Sequence, residues 1–179
     1  MSEKLRFAVI GCGGIGGLRM RTINQNPNLK LVVACDVVED LAKKRAGEFQ
    51  CEYATDHNKV VSRNDLDCVV VSTPNKFHAP ISIAALDAGK HVLCEKPLAR
   101  NPEEAGNMVE ASKKAGRILK TGFNHRHFKN VLKARELLDS GGIGKTTFLR
   151  SRTGHGGGEH LLHSWFWNKE MAGGGTFLD

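Results

Sequence analysis

Three glycines suggest the first chemistry. Gly11, Gly13 and Gly16 stand in G-x-G-x-x-G spacing within Gly11-Cys12-Gly13-Gly14-Ile15-Gly16, directly after the apolar run Leu5–Ile10. At a strand-to-helix turn this spacing suits a diphosphate. The first glycine permits the tight turn, the second lets backbone approach the phosphates, and the third lets helix and strand pack closely. A helix opening there directs free N–H groups and a positive dipole end at the anion. Alone, the triplet equally fits a glycine-rich turn that binds nothing. Asp36, which ends the second apolar run 20 residues past Gly16, tips the reading. A carboxylate at that place accepts hydrogen bonds from the hydroxyls of an adenosine ribose. Val37 and Val38 follow it, with no arginine to hold a 2′-phosphate, so the pattern favours NAD over NADP.

Other clusters carry less. Gly141-Gly142-Ile143-Gly144-Lys145-Thr146 ends like a phosphate-binding P-loop, but Asp139 occupies the place of its first glycine. The segment also precedes an expected strand, where a P-loop follows one, so it reads as a turn. His155, His160 and His163 lie in a glycine-rich stretch without a Cys companion, and no metal is expected. Trp165 and Trp167 fit two readings equally, as walls of a ligand pocket or as packing.

The elements that must position these residues alternate short β-branched runs with longer amphipathic stretches, the pattern of βαβ units around a parallel sheet. Strands are expected at Leu5–Ile10, Leu29–Cys35, Cys68–Ser72, His91–Cys94 and Arg117–Thr121, with Cys51–Tyr53 a shorter candidate. Helices are expected over Glu39–Glu48, after Pro80 as far as Gly89, and from Asn101 to Gly116. In the last, Asn101 and Glu104 have capping-box spacing, Pro102 takes the first position, and Ala105, Met108, Val109 and Ser112 mark one face. Past Gly122 the character changes. Val131–Leu138 reads as a helix and Thr146–Arg152 as a strand, followed by a glycine- and histidine-rich stretch without clear period. The expected domains are therefore 1–122, nucleotide-binding, and 123–179, the start of a second, truncated domain.

With 40% apolar and 25% charged residues the chain has an ordinary globular composition. No apolar run reaches the roughly 18–20 residues of a membrane span, and the N-terminal apolar run is too short for a signal peptide; a cytoplasmic location is expected. Five scattered cysteines suit reduced thiols. The net charge of +7 raises the question of nucleic acid. Yet the basic residues are dispersed and no base-stacking aromatic motif accompanies them, so no nucleic-acid partner is expected.

Ser72-Thr73-Pro74-Asn75 with His78, and then Cys94-Glu95-Lys96-Pro97 after the fifth strand, resemble the Gfo/Idh/MocA family of oxidoreductases, which includes glucose–fructose oxidoreductase and inositol dehydrogenase. Gly122-Phe123-Asn124-His125-Arg126 and the stretch from Trp165 through Gly173-Gly174-Gly175 to Asp179 also look like family segments. The resemblance implies a Rossmann-type doubly wound sheet followed by the beginning of an incomplete α+β domain. It implies hydride transfer between NAD and a secondary alcohol of a sugar or cyclitol. Lys96 would hydrogen-bond the reacting hydroxyl, and Glu95 would position Lys96 or the cofactor. Ser72, Thr73, Pro74, Asn75, His78 and Asn124 would lie beside the cofactor, and Pro97 would shape the loop, often through a cis peptide. His78 also fits a helix-start residue, and Glu95 a capping acid.

Family members carry a histidine base four residues after an aspartate that follows a Gly-Gly-Gly run. Asp179 matches that aspartate and the chain then stops. The expectation is a fragment that binds NAD weakly without useful turnover, its longer form a homo-oligomer acting on a small sugar or polyol. Two alternatives use the same features: an NAD-using glycosidase, which would release no net NADH, and a non-catalytic dinucleotide-binding module, which would not require Lys96.

Overall fold

The computed structural model describes residues 4–152 and 164–174. Six strands, β1 (Leu5–Ile10), β2 (Leu29–Cys35), β3 (Glu52–Ala54), β4 (Cys68–Val71), β5 (His91–Cys94) and β6 (Leu119–Thr121), form one sheet in the order β3-β2-β1-β4-β5-β6. Every pairing is parallel. Between them run α1 (Gly14–Gln25), α2 (Glu39–Phe49), α3 (His57–Val61), α4 (His78–Asp87) and α5 (Pro102–Ala115). This is a doubly wound, Rossmann-type sheet, whose strand order reverses between β1 and β4.

The apolar runs behave as strands buried on both faces. Val69 and Val71 join Ala8, Ile10, Val33, Leu86 and Met108 in one core cluster. Val70, pointing the other way, joins Val9, Met20, Ile23, Leu31 and Ala34. Alternation along β4 therefore feeds two cores, each worth about 25 cal/mol per Å² of apolar surface removed from water.

The helix α5 starts and ends as read from sequence, but half of its N-terminal cap is made differently. The Asn101 side chain accepts from the Glu104 amide at 2.8 Å, whereas the Glu104 carboxylate goes to Arg100, taking its backbone N–H at 3.1 Å and its guanidinium. The reciprocal half of the capping box is thus replaced by an ion pair one residue upstream. On its inner face Met108 and Ala111 are buried, while Val109, expected there, is 40% exposed. Lys113, Lys114 and the left-handed Gly116 close the helix.

The chain divides into two compact units. One comprises Met1–Gly122 together with Trp165–Asp179; the other is Phe123–Ser164. The second holds a 3-10 turn (Asn124–His127) and α6 (Lys129–Asp139). Thr146–Arg152, expected as a strand, forms none. A strand exists only through a ladder partner. Among the described residues none lies beside this stretch, and Phe148 and Leu149 are both 80% exposed. No helix of the described residues is long and apolar enough to cross a membrane.

Candidate functional site: a dinucleotide cradle and a lysine loop

The glycine loop leaves β1 and enters α1 under tight steric control. Gly11 has φ +95° and donates its N–H to Cys35 O at 2.8 Å; a Cβ there would stand 2.5 Å from Ser72 O. A Cβ on Gly16 would stand 1.9 Å from Gly11 O. Both places accept only hydrogen. Gly13 is the opposite case: nothing lies within 4 Å of its would-be Cβ. It is the N-cap of α1, contributes no side-chain cap, and the first turn carries no acid. The helix start therefore presents uncapped N–H groups beside an open, exposed backbone, as an anion requires. Gly14 and Ile15 are likewise exposed.

Asp36 does more than the sequence suggested. Its Oδ2 accepts the Cys12 N–H at 2.7 Å and its Oδ1 the Val38 N–H at 2.9 Å. Arg45 holds the other side of the same residue, donating from Nε to Cys12 O at 3.2 Å, and its guanidinium packs on Gly17. The loop is thus gripped by one carboxylate and one guanidinium. The Cys12 amide is engaged with Asp36, and its thiol is buried; burial first, then Asp36, pushes it up to about 12, so it packs as a small apolar group.

Beside this loop lies a cavity of about 440 Å³. Of the residues expected in the site, Gly11, Gly13, Asp36, Ser72, Thr73 and Pro74 line it. Its remaining wall includes Val37, Leu41, Thr55, His57, Phe77, Ile81, Trp165 and Met171, of which only Val37 and Trp165 were singled out from sequence. An apolar chamber with one carboxylate at its edge suits a purine and its ribose. Ser72 Oγ and Thr73 Oγ1 are buried and find no hydrogen-bond partner among the described residues. Such hydroxyls are costly unless a ligand or water pairs them, so the cradle and its orphaned hydroxyls fit a bound dinucleotide.

Other expected residues serve as fasteners. Asn75 is 4% exposed and donates from Nδ2 to Ala172 O at 2.8 Å. Arg100 donates to Glu170 O at 2.8 Å, and Gly173 lies against Arg100, where a Cβ would come within 2.5 Å of its side chain. These contacts seat α7 (Lys169–Ala172) and carry Trp165 and Met171 into the cavity wall; Trp167 is exposed.

His78 is fully buried at the start of α4. Its Nδ1 lies 2.7 Å from Pro97 O and its Nε2 2.8 Å from Thr73 O. It braces the loop after β4 against the loop after β5. Burial pushes its pKa below the usual histidine range, although both carbonyls and Glu95 pull the other way. A neutral ring can donate to only one of the two carbonyls.

Lys96 stands exposed between buried Glu95 and buried Pro97, and the Lys96–Pro97 peptide is cis. Glu95 Oε1 receives Arg19, from α1, with Nε and Nη2 each at 2.5 Å. Sequence reasoning missed Arg19, because nothing at its position signals a partner 76 residues away. Asn124 opens the 3-10 turn of the second unit. Asp179, His155, His160 and His163 lie outside the described residues, among which no group of three His, Cys, Asp or Glu is arranged to hold a metal.

This geometry has known counterparts. Residues 5–123 match the family profile described as "Oxidoreductase family, NAD-binding Rossmann fold", and residues 131–179 match the GFO/IDH/MocA C-terminal domain. Myo-inositol 2-dehydrogenase of Thermotoga maritima is 35% identical over 147 residues, covering 82% of this chain and 44% of that protein. D-glucoside 3-dehydrogenase of Escherichia coli is 32% identical over 182 residues, covering 99% and 51%. Among solved structures, the WlbA dehydrogenase of Chromobacterium violaceum, in complex with NADH and UDP-GlcNAcA, superposes with a TM-score of 0.77 at 26% identity, over 80% of this chain and 42% of that one. The chain belongs to the Gfo/Idh/MocA oxidoreductase family. It spans about half the length of the curated relatives it matches.

Proposed function

We propose that this chain is the NAD-binding part of a dehydrogenase acting on a secondary alcohol of a sugar or cyclitol. The observation that carries the reading is the open Gly13 backbone at the start of α1, flanked by a cavity with Asp36 at its edge. Bound there, NAD would supply the hydride acceptor. The chain's own residues do the rest. The α1 N-terminus and the Gly13 backbone hold the diphosphate, Asp36 accepts from the ribose hydroxyls with its remaining lone pairs, and the Ser72 and Thr73 hydroxyls gain partners. Lys96 hydrogen-bonds the reacting hydroxyl. Glu95, His78 and Asn75 serve as supports for the loops that present it, and Asn124 and Asp179 contribute from the segments that follow. Relatives whose names give inositol and a glucoside as substrates support the polyol class.

The domain reading, 1–122 for the cofactor and 123–179 as the opening of a substrate domain, belongs to the same proposal and is supported by the C-terminal profile match over residues 131–179. NAD is preferred over NADP on electrostatic grounds. A 2′-phosphate would face the Asp36 carboxylate, while exposed Val37 and Val38 offer no cation and Lys43 is engaged by Glu39 at 3.0 Å. Fluorescence titration with NADH and NADPH tests this. NADH is expected to bind at least about tenfold more tightly, a difference of roughly 1.4 kcal/mol, and Asp36→Asn is expected to narrow the gap. Equal binding of the two cofactors to the unaltered chain would overturn the preference, and binding of neither would overturn the cradle.

A further inference from the structure

The loop carrying Lys96 is tied to the helix that begins at the glycine cradle. Glu95 follows β5, its amide bonded to Val71 O at 2.9 Å. Its side chain is 9% exposed and Arg19's is 15% exposed. The carboxylate is also seated on Gly122: a Cβ at that glycine would meet Oε2 at 2.6 Å, and Gly122 N–H closes on Cys94 O at 2.7 Å. Glu95 is therefore clamped from two sides, by a guanidinium and by a residue without a side chain. Arg19 lies on α1, whose first turn forms the anion site, so one buried ion pair joins the two working parts of the fold.

We propose that Arg19 is a positioning residue: through Glu95 it sets where the neighbouring Lys96 amine stands relative to the dinucleotide cradle. This rests on the functional reading above for what Lys96 does, though not for where it is held. Lys96 sits on a loop, and a loop group gains precision when the residues beside it are locked by packing and hydrogen bonds. Pro97 is fixed on one side through its carbonyl at His78. Arg19 and Gly122 fix Glu95 on the other. Removing Arg19 leaves a buried carboxylate without this guanidinium, so Glu95 takes up a proton or turns toward water, and either change releases the loop from α1. The glycine loop, gripped by Asp36 and Arg45, does not depend on this pair.

The test uses the full chain with 13C-labelled lysine, the Lys96 Cε–Hε resonance being assigned by its loss in K96R. R19M, R19K and E95Q are compared with the unaltered chain before and after addition of NADH. In R19M and E95Q the Lys96 resonance is expected to leave its position and lose its response to NADH, while the NADH dissociation constant changes by less than about threefold, as for a group that orients without anchoring. R19K, which keeps the charge, is expected to restore most of the original position. A Lys96 resonance unmoved in folded R19M or E95Q would overturn the proposal, as would cofactor affinity falling in step with it. Should R19M fail to fold, E95Q decides alone. Loss of folding in every variant would also overturn it, since the pair would then belong to the fold. If the unaltered chain binds no NADH, the functional reading fails, while the free-state Lys96 position still judges the role of Arg19.

Discussion

Gly13 and Gly16 are three residues apart in the same loop, yet alanine at each should have opposite consequences. At Gly13 the backbone has φ −62° and ψ −163°, which alanine adopts freely, and nothing lies within 4 Å of the added Cβ. Folding stability should therefore change by less than about 1 kcal/mol, as for substitution at a compatible backbone. The new methyl would occupy the open face that phosphates must approach. Displacing even one charge-assisted N–H contact costs about 1.5–3 kcal/mol, or roughly ten- to a hundredfold in NADH affinity. At Gly16 the Cβ would sit 1.9 Å from Gly11 O, so the helix and loop must part by roughly 1 Å, an overpacking cost of about 1–3 kcal/mol. Gly14→Ala, with open space around it at the start of a helix, is the control and should gain about 0.5–1 kcal/mol. Urea unfolding measures the stabilities and NADH fluorescence the affinities. The reasoning fails if Gly13→Ala binds NADH like the unaltered chain, or if Gly16→Ala keeps the original urea midpoint.

Asp67, held by Arg6 through Nε at 3.0 Å and Nη2 at 2.8 Å, has a carboxyl pulled down to about 2, chiefly by that hydrogen bond. Its contribution is complete above the unfolded value near 3.9 and fades as pH falls from there toward 2. Asp67→Asn should flatten acid unfolding in that window; an unchanged acid profile would count against the pair. For His78 the direction reverses. Its folded pKa is lowered by burial, so the unfolded chain takes up its proton first and stability should fall as pH drops below about 6.5. Ring-15N spectra should show a single N–H at pH 7.5; two N–H groups there would mean the ring is a cation between its two carbonyls. His78→Gln, which carries no titrating ring, should remove that pH dependence.

The cradle was legible because its causes are local. A turn that admits only glycine, a helix start and an acid at the end of the next strand follow from spacing along a short stretch of chain, and parallel strands buried on both faces show as unbroken apolar runs like Val69-Val70-Val71. The parts that could not be read depend on partners far apart in sequence. Arg19 meets Glu95, Asn75 holds Ala172, and His78 spans Thr73 and Pro97 only because the sheet order brings the ends of β1, β4 and β5 to one edge. The misreadings have causes both near and far. Glu104 chose Arg100 over its capping-box partner, Val109 turned outward, and Thr146–Arg152 has strand-like residues but no neighbour to pair with among the described residues. Residue types and their intervals determined which groups can bind a diphosphate. The tertiary structure decided which buried charges and carbonyls hold those groups still, because hydrogen bonds and ion pairs are made by proximity in space, to which sequence distance gives no guide.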